Sequence, residues 1–367
     1  MNAQITTSRR TRRTPFSQYV EDAGVRAYTV YNRMLLPAVF RSLEEDYHHL
    51  KSAVQVWDVS CERQVRLRGP DALRMLQLLT PRDLTKISTK RCMYVPITDQ
   101  NGGMLNDPVA IKISDEEVWI SIADSDLLFW VQAIAGCNGF HVVVDEAEVF
   151  PLAVQGPKAT ELTVRVFGDR IREMKFFGAD RFVFADEEIL ITRTGYSKQG
   201  GFEIYVEGRH YAGELWHALF EAGADLDVRA GCPNLIERIE GGLLSFGNDM
   251  TFENTPLECG LGRCVDDSQL ATCYGGRALA EERANGSQRM VRALTVSDKI
   301  PRCDRAWPLI SNERLVGQIT SAYRSPDFGV NVAIGMVDHT HWDAGTEMTV
   351  MTHAGPRAAK VQQKFWI

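Results

Sequence analysis

Polar and apolar residues alternate over residues 64–67, the spacing of a strand with one buried face. Gly69-Pro70 interrupts the alternation, and Pro70 suits the first turn of a helix, where its missing N–H is not needed. The helix that follows carries Leu73, Met75, Leu76, Leu78 and Leu79 on one broad apolar side. The same unit recurs 87 residues later: a strand over 152–155, the break Gly156-Pro157, and a helix over 159–166. Two such strand–break–helix units predict two related α+β modules; two copies are too few for a solenoid.

Between the units, residues 93–96 and 109–113 read as strands around the polar turn Gln100-Asn101-Gly102-Gly103, because Asn-Gly between β-rich runs is a strong hairpin signal. Another strand is expected over 118–122, and helices over 127–135, 211–222 and 235–246. From about residue 289 the pattern changes. Residues 291–296, 315–319, 330–337 and 348–351 read as strands separated by Gly, Pro and Asp turns, which predicts a separate β-rich domain approached through the polar stretch 281–289.

Length and composition narrow the class. At roughly 100–200 residues per domain, 367 residues suggest two or three domains. The formal net charge of −7 argues against a general nucleic-acid binder, which usually carries a basic surplus. No apolar run approaches the ~18–20 residues of a membrane helix, so no membrane partner is expected. Residues 1–15 hold Arg9, Arg10, Arg12 and Arg13 among Ser and Thr and lack the apolar segment of a secretory signal; they read as a partly ordered tail.

The eight cysteines form no Cys-x-x-Cys pair, and His48-His49 and His339-x-His341 lack a ligand spacing with supporting carboxylates. Neither a disulfide scaffold nor a metal site is expected, and scattered thiols fit a cytoplasmic protein. Dinucleotide, phosphate-loop, nucleophile-elbow and zinc-protease motifs are all missing. What remains are carboxylates at the ends of apolar strands. Asp107 follows Asn106 just before a strand, and Glu203 stands inside the alternation Gly201-Phe202-Glu203-Ile204-Tyr205. A carboxylate in such a place is paired, caps a turn, or is functional.

Several segments carry a resemblance. Gly102-Gly103-Met104-Leu105-Asn106-Asp107, Arg193-Thr194-Gly195-Tyr196 and Gly201-Phe202-Glu203 resemble segments of the glycine-cleavage T-protein family of tetrahydrofolate-dependent enzymes. Trp57-Asp58-Val59-Ser60, Gln155-Gly156-Pro157-Lys158, Arg238-Ile239-Glu240 and Asn254-Thr255-Pro256-Leu257-Glu258 resemble others, in family order across almost the whole chain. Tyr28-Thr29-Val30-Tyr31-Asn32, Tyr47-His48-His49-Leu50-Lys51, Glu62-Arg63-Gln64-Val65 and Gly231-Cys232-Pro233-Asn234 are similar to the branch that demethylates dimethylsulfoniopropionate. Lys198-Gln199-Gly200, Cys61 and Asn234 replace family residues in the direction of that branch; Tyr196, where the branch tends to carry Trp, departs from it.

The resemblance implies an α+β fold of three domains in a ring around a central folate channel, with a β-barrel-like C-terminal domain. It implies a discontinuous folate-binding domain over 1–50 and 150–280, a second α+β domain over 51–149, and the C-terminal domain over 281–367. It implies transfer of a methyl group from the sulfonium of dimethylsulfoniopropionate to tetrahydrofolate, with Asp107 acting at the reacting nitrogen and Glu203 accepting from the pterin edge. Tyr94, Phe177 and Tyr196 would flank the folate, with Ser121 and Ile122 lining the channel. Tyr31 and Tyr205 would face the sulfonium by cation–π contact, and Lys198 is the candidate for the substrate carboxylate. The expected partner is a small methylated sulfonium or ammonium compound, and the oligomeric state stays open, a homodimer included. Aminomethyl transfer, demethylation of an amine, and non-catalytic folate binding are the alternatives.

Overall fold

A computed structural model describes residues 7–367. The described residues form two compact units, one from residues 7–69, 87–93 and 110–234, the other from 70–86, 94–109 and 235–367. The expectation for residues 1–15 falls partly outside the described residues. Within them, Arg12 and Arg13 pair with Glu146 and Glu21.

The first unit is built on a six-stranded sheet in the order Ala179–Phe184, Glu187–Thr192, Gly201–Glu207, Val149–Gln155, Val54–Asp58, Val228–Gly231. All neighbours are antiparallel except the last pair. Helices Ala159–Phe167 and Ala212–Ala222 cover one face, where Leu162, Leu215 and Leu219 pack on Leu152, Val154, Phe202, Ile204 and Val206. Burial of this apolar face is the main stabilising contribution, at roughly 25 cal/mol per Å² removed from water. A second sheet sets Val143–Ala147, Gln64–Arg68 and Glu117–Ser121 side by side.

The two Gly-Pro breaks have one physical cause. Gly69 (φ 141°) and Gly156 (φ 123°) lie where a Cβ would stand 2.2 Å from the His141 carbonyl oxygen and 2.4 Å from that of Ala53. Only glycine lets the strand end pass so close to another backbone.

The second unit contains helix Leu235–Glu240, helix Gly276–Asn285 and a closed six-stranded barrel. Around the barrel the order is Arg289–Val296, Asn331–Asp338, Arg314–Arg324, Trp307–Ser311, Glu347–Thr352, Gly355–Val361. Leu294, Trp307, Leu309, Ile319, Ala333 and Val350 fill it. The β-rich region expected from residue 289 is this barrel, and the fold class is α+β.

Two expectations are corrected. The helix expected over 235–246 stops at Glu240. Gly242 takes a left-handed φ of 63°, the Leu243 N–H returns to the Arg238 carbonyl at 2.9 Å, and the Gly242 N–H to that of Ile239 at 3.2 Å. That pair of bonds is a Schellman cap, which overrides the apolar spacing beyond it. The turn at 100–103 is also narrower than expected: the strands it joins are Ile97–Thr98 and Met104–Asn106, not 93–96 and 109–113. Asp99 Oδ1 accepts from the N–H groups of Asn101 (2.8 Å) and Gly103 (2.9 Å), closing the turn beside itself. Upstream, Pro96 has no N–H to give a ladder, and only Met93–Tyr94 remains of the longer strand.

Candidate active site

On the strand Gly201–Glu207, period two sends Phe202, Ile204 and Val206 into the apolar core and Glu203 and Tyr205 to the opposite face. That second face is polar and yet buried. Gln55, Trp57, Gln155, Thr192, Thr194, Glu203 and Tyr205 are each at most 6 % exposed. Register aligns Thr192, Glu203, Ala153 and Trp57 across four strands. Glu203 Oε2 accepts from the Thr194 hydroxyl and, at 3.3 Å, from the Tyr205 hydroxyl. The Thr192 and Thr194 hydroxyls are hydrogen-bonded to one another. Burial raises the Glu203 pKa against these two donors. Both donors go to one oxygen, so Oε1 accepts nothing from the described residues. The Tyr205 ring packs against Trp119, with centroids 6.4 Å apart.

The surrounding segments are held in place by specific contacts. Gly195 crosses Gln155 so closely that a Cβ would stand 2.0 Å from its Nε2. Gln155 Nε2 donates to the Thr194 carbonyl (3.2 Å) and its Oε1 accepts from Ser197 Oγ (2.8 Å). The Arg-Thr-Gly-Tyr segment is thereby folded over the sheet, with Tyr196 half-buried and Lys198 exposed. Phe177 is half-buried in a left-handed conformation (φ 61°), rare for a bulky residue. Its N–H donates to Arg193 O (3.0 Å), and its carbonyl accepts from Cys92 N (3.0 Å) and Sγ (3.3 Å). Cys92 is buried near Glu203, which helps push its thiol up to about 12 and keeps it a neutral donor.

Tyr31 ends the strand Ala27–Tyr31, which a two-residue turn joins to Met34–Val39. Asn32 and Arg33 both have positive φ (48° and 63°), the signature of a type I′ hairpin. Asn32 Nδ2 donates to the carbonyls of Cys61 (2.9 Å) and Ala123 (3.1 Å), and its N–H donates to Asp124 Oδ1 (2.7 Å). Tyr31 is therefore held beside the segment bearing Ser121 and Ile122, both buried. Ser121 Oγ accepts from Gln64 Nε2 at 2.8 Å. Asn32 and Gln64 hold this part of the site together, and neither was singled out for that role; burial of a polar side chain is the signal, and a single sequence does not display it.

The second unit carries the other carboxylate. Asp107 follows the hairpin strand Met104–Asn106, and its Oδ2 accepts from Tyr94 Oη at 2.8 Å. Oδ1 is buried and has no hydrogen-bond partner among the described residues. Burial lifts the Asp107 pKa to about 7, although the Tyr94 hydroxyl and backbone N–H pull it down. Tyr94 is pushed well above its ordinary value by burial and by the Asp107 charge, so it remains a donor. Among the described residues no group of three or more His, Cys, Asp or Glu side chains is placed to hold a metal, and no helix is long and apolar enough to cross a membrane.

Residues 16–269 match the GCVT N-terminal domain and residues 289–366 the glycine cleavage T-protein C-terminal barrel domain. The chain is 56% identical over 364 residues to the dimethylsulfoniopropionate demethylase DmdA of Ruegeria pomeroyi, covering 99% of this chain and 100% of that protein. It is 29% identical over 326 residues to an aminomethyltransferase of Bacillus cereus, covering 86% and 87%. The glycine cleavage system aminomethyltransferase T of Bartonella henselae has the same fold, with a TM-score of 0.87, 23% identity and coverage of 97% and 98%.

Proposed function

The chain belongs to the glycine-cleavage T-protein family, and from that premise we propose that it moves a methyl group from dimethylsulfoniopropionate to tetrahydrofolate. The observation that carries this is the near full-length identity to a dimethylsulfoniopropionate demethylase, joined to a buried carboxylate oxygen left without a partner. The products are 3-methylthiopropionate and 5-methyltetrahydrofolate.

The residues fit a reduced folate. Oε1 of Glu203 is available on a rigid polar face to accept from the amino and ring N–H donors of a pterin. Phe177 and Tyr196 are half-buried aromatic groups suited to flank it, and Ser121 and Ile122 line the adjoining strand end. When bound, tetrahydrofolate supplies N5 as the methyl acceptor. The sulfonium's S–CH3 bond breaks with its electron pair left on sulfur, a bond from the acceptor nitrogen to that carbon forms, and one proton is released. Departure neutralises the sulfur, so no general acid is required. To Asp107 we assign stabilisation of the positive charge that develops and uptake of the released proton, for which a pKa of about 7 is well placed. Tyr31 and Tyr205 are the aromatic candidates for the sulfonium and Lys198 the candidate for the substrate carboxylate. The rest of the protein's contribution is alignment of donor and acceptor. On this reading the chain divides into a discontinuous folate-binding domain over 1–50 and 150–280, a second α+β domain over 51–149 and a C-terminal domain over 281–367, and it works in the cytoplasm.

The test is to incubate the protein with tetrahydrofolate and a panel of methylated sulfonium and ammonium compounds and to measure 5-methyltetrahydrofolate. Methyl transfer from dimethylsulfoniopropionate with equimolar 3-methylthiopropionate is expected. Transfer from an amine alone would overturn the choice of donor.

A further inference from the structure

We propose that Tyr94 is a positioning residue for the methyl-transfer step, acting through Asp107 rather than as a wall of the folate site. The inference rests on the functional reading above and deepens it.

The geometry is local to one hairpin region. Tyr94 Oη reaches Asp107 Oδ2 at 2.8 Å, and the Val95 N–H donates to the Pro108 carbonyl at 2.9 Å, so the backbones beside both residues are joined. Arg82 Nη1 donates to the Tyr94 carbonyl and lies 3.4 Å from Cys264 Sγ, fixing Tyr94 from the other side. With Oδ2 engaged and the carboxyl plane set, Oδ1 is the one oxygen left to meet a ligand, and it is buried. A phenol spent on a carboxylate is not free to donate to folate.

On the Cys264 side of Tyr94 the charged groups are Arg82, Arg263 and Asp266. Cys259 and Cys264 lie near both residues or near Tyr94, and burial raises both thiols, so they stay neutral. Beyond Cys259 stand Glu258, Asp249 and Arg289, of which Glu258 and Arg289 are paired with one another. Arg82 supplies the positive charge at the Tyr94 backbone. The Tyr94 hydroxyl is therefore the larger of the two donors, with a backbone N–H, that favour the ionised Asp107 against its burial.

Tyr94→Phe removes this donor and keeps the ring. The acid limb of the kcat profile is expected to move up by about one pH unit, with the loss at neutral pH recovered at alkaline pH and KM for tetrahydrofolate changed less than about twofold. A raised KM with an unmoved acid limb would show a folate contact and overturn the proposal; a loss equal at all pH values would overturn it too. A second readout needs no turnover. In substrate-free protein with 13C-labelled aspartate carboxyls, the Asp107 resonance, identified by its absence in Asp107→Asn, should titrate at higher pH in Tyr94→Phe. An unmoved titration overturns the proposal. A moved titration in a protein that transfers methyl groups from no donor supports the Tyr94–Asp107 coupling and overturns the functional reading instead.

Discussion

Glu203 and Asp107 are both buried carboxyls with raised pKa values, and both accept from a tyrosine hydroxyl, yet they are built differently. Glu203 sits on an inner strand of a six-stranded sheet, and its two donors come from Thr194 and Tyr205, close to it on the same structural frame. Asp107 sits just past a short hairpin strand, has one phenol donor, and keeps a buried oxygen with no partner among the described residues. The first arrangement suits a group that must present a fixed acceptor to a ligand. The second suits a group that must meet charge developing during reaction, because a desolvated and preoriented oxygen interacts more strongly than one already satisfied.

This contrast is sharpest where each carboxylate is made neutral. Asp107→Asn should lower kcat by roughly 10- to 1000-fold, about 1.4–4 kcal/mol, while tetrahydrofolate affinity and melting temperature change little. Steady-state kinetics with a melting curve tests it, and a stable variant with unchanged kcat would remove Asp107 from the chemistry. Glu203→Gln should act on the other side of the contrast, weakening tetrahydrofolate by about 1.5–3 kcal/mol, the range for hydrogen bonds to a charged group. Calorimetry on the folded variant decides this; unchanged affinity would mean that Glu203 does not hold the pterin. The smallest effect is expected from Thr194→Val, which leaves Glu203 with only the Tyr205 donor. Affinity should fall by about 0.5–1.5 kcal/mol at neutral pH and recover as pH rises, since losing a donor to the charged form lifts the carboxyl pKa further. A binding titration across pH that is identical to wild type would show the Thr194 bond to be immaterial.

Much of this frame was legible along the chain. The Gly-Pro breaks announced two strand–helix units because a close backbone approach admits no side chain. Glu203 stood out as a carboxylate in an apolar alternation. The end of the helix at Glu240 was harder to read, because Leu243, Leu244 and Phe246 continue the apolar spacing past the glycine cap. The polar face of the large sheet was harder still. Gln55, Gln155 and Thr192 are polar residues whose burial follows from what covers them, which periodicity does not encode. The Tyr94–Asp107 bond joins residues thirteen apart around a turn whose register is set by the Asp99 side chain, so its existence depends on geometry that composition leaves open.

The order of the large sheet leaves one of its edges on the strand Ala179–Phe184. The closed barrel offers no open edge, and the terminal strand Ala179–Phe184 has much of its outer backbone engaged: the Ala179 N–H donates to the Lys90 carbonyl at 3.0 Å, the Arg181 N–H to Asp180 Oδ1 at 2.8 Å, and the Arg181 carbonyl accepts from Arg170, while Val183 is 66% exposed. Asp180 carries ion pairs to Lys90 and Arg170, and Arg181 one to Glu207. An incoming strand would have to desolvate these charges, which is how natural edges are kept from templating aggregates. The same pairs that look like ordinary surface electrostatics thus act as gatekeepers, and they are the positions to leave untouched when the protein is concentrated or redesigned.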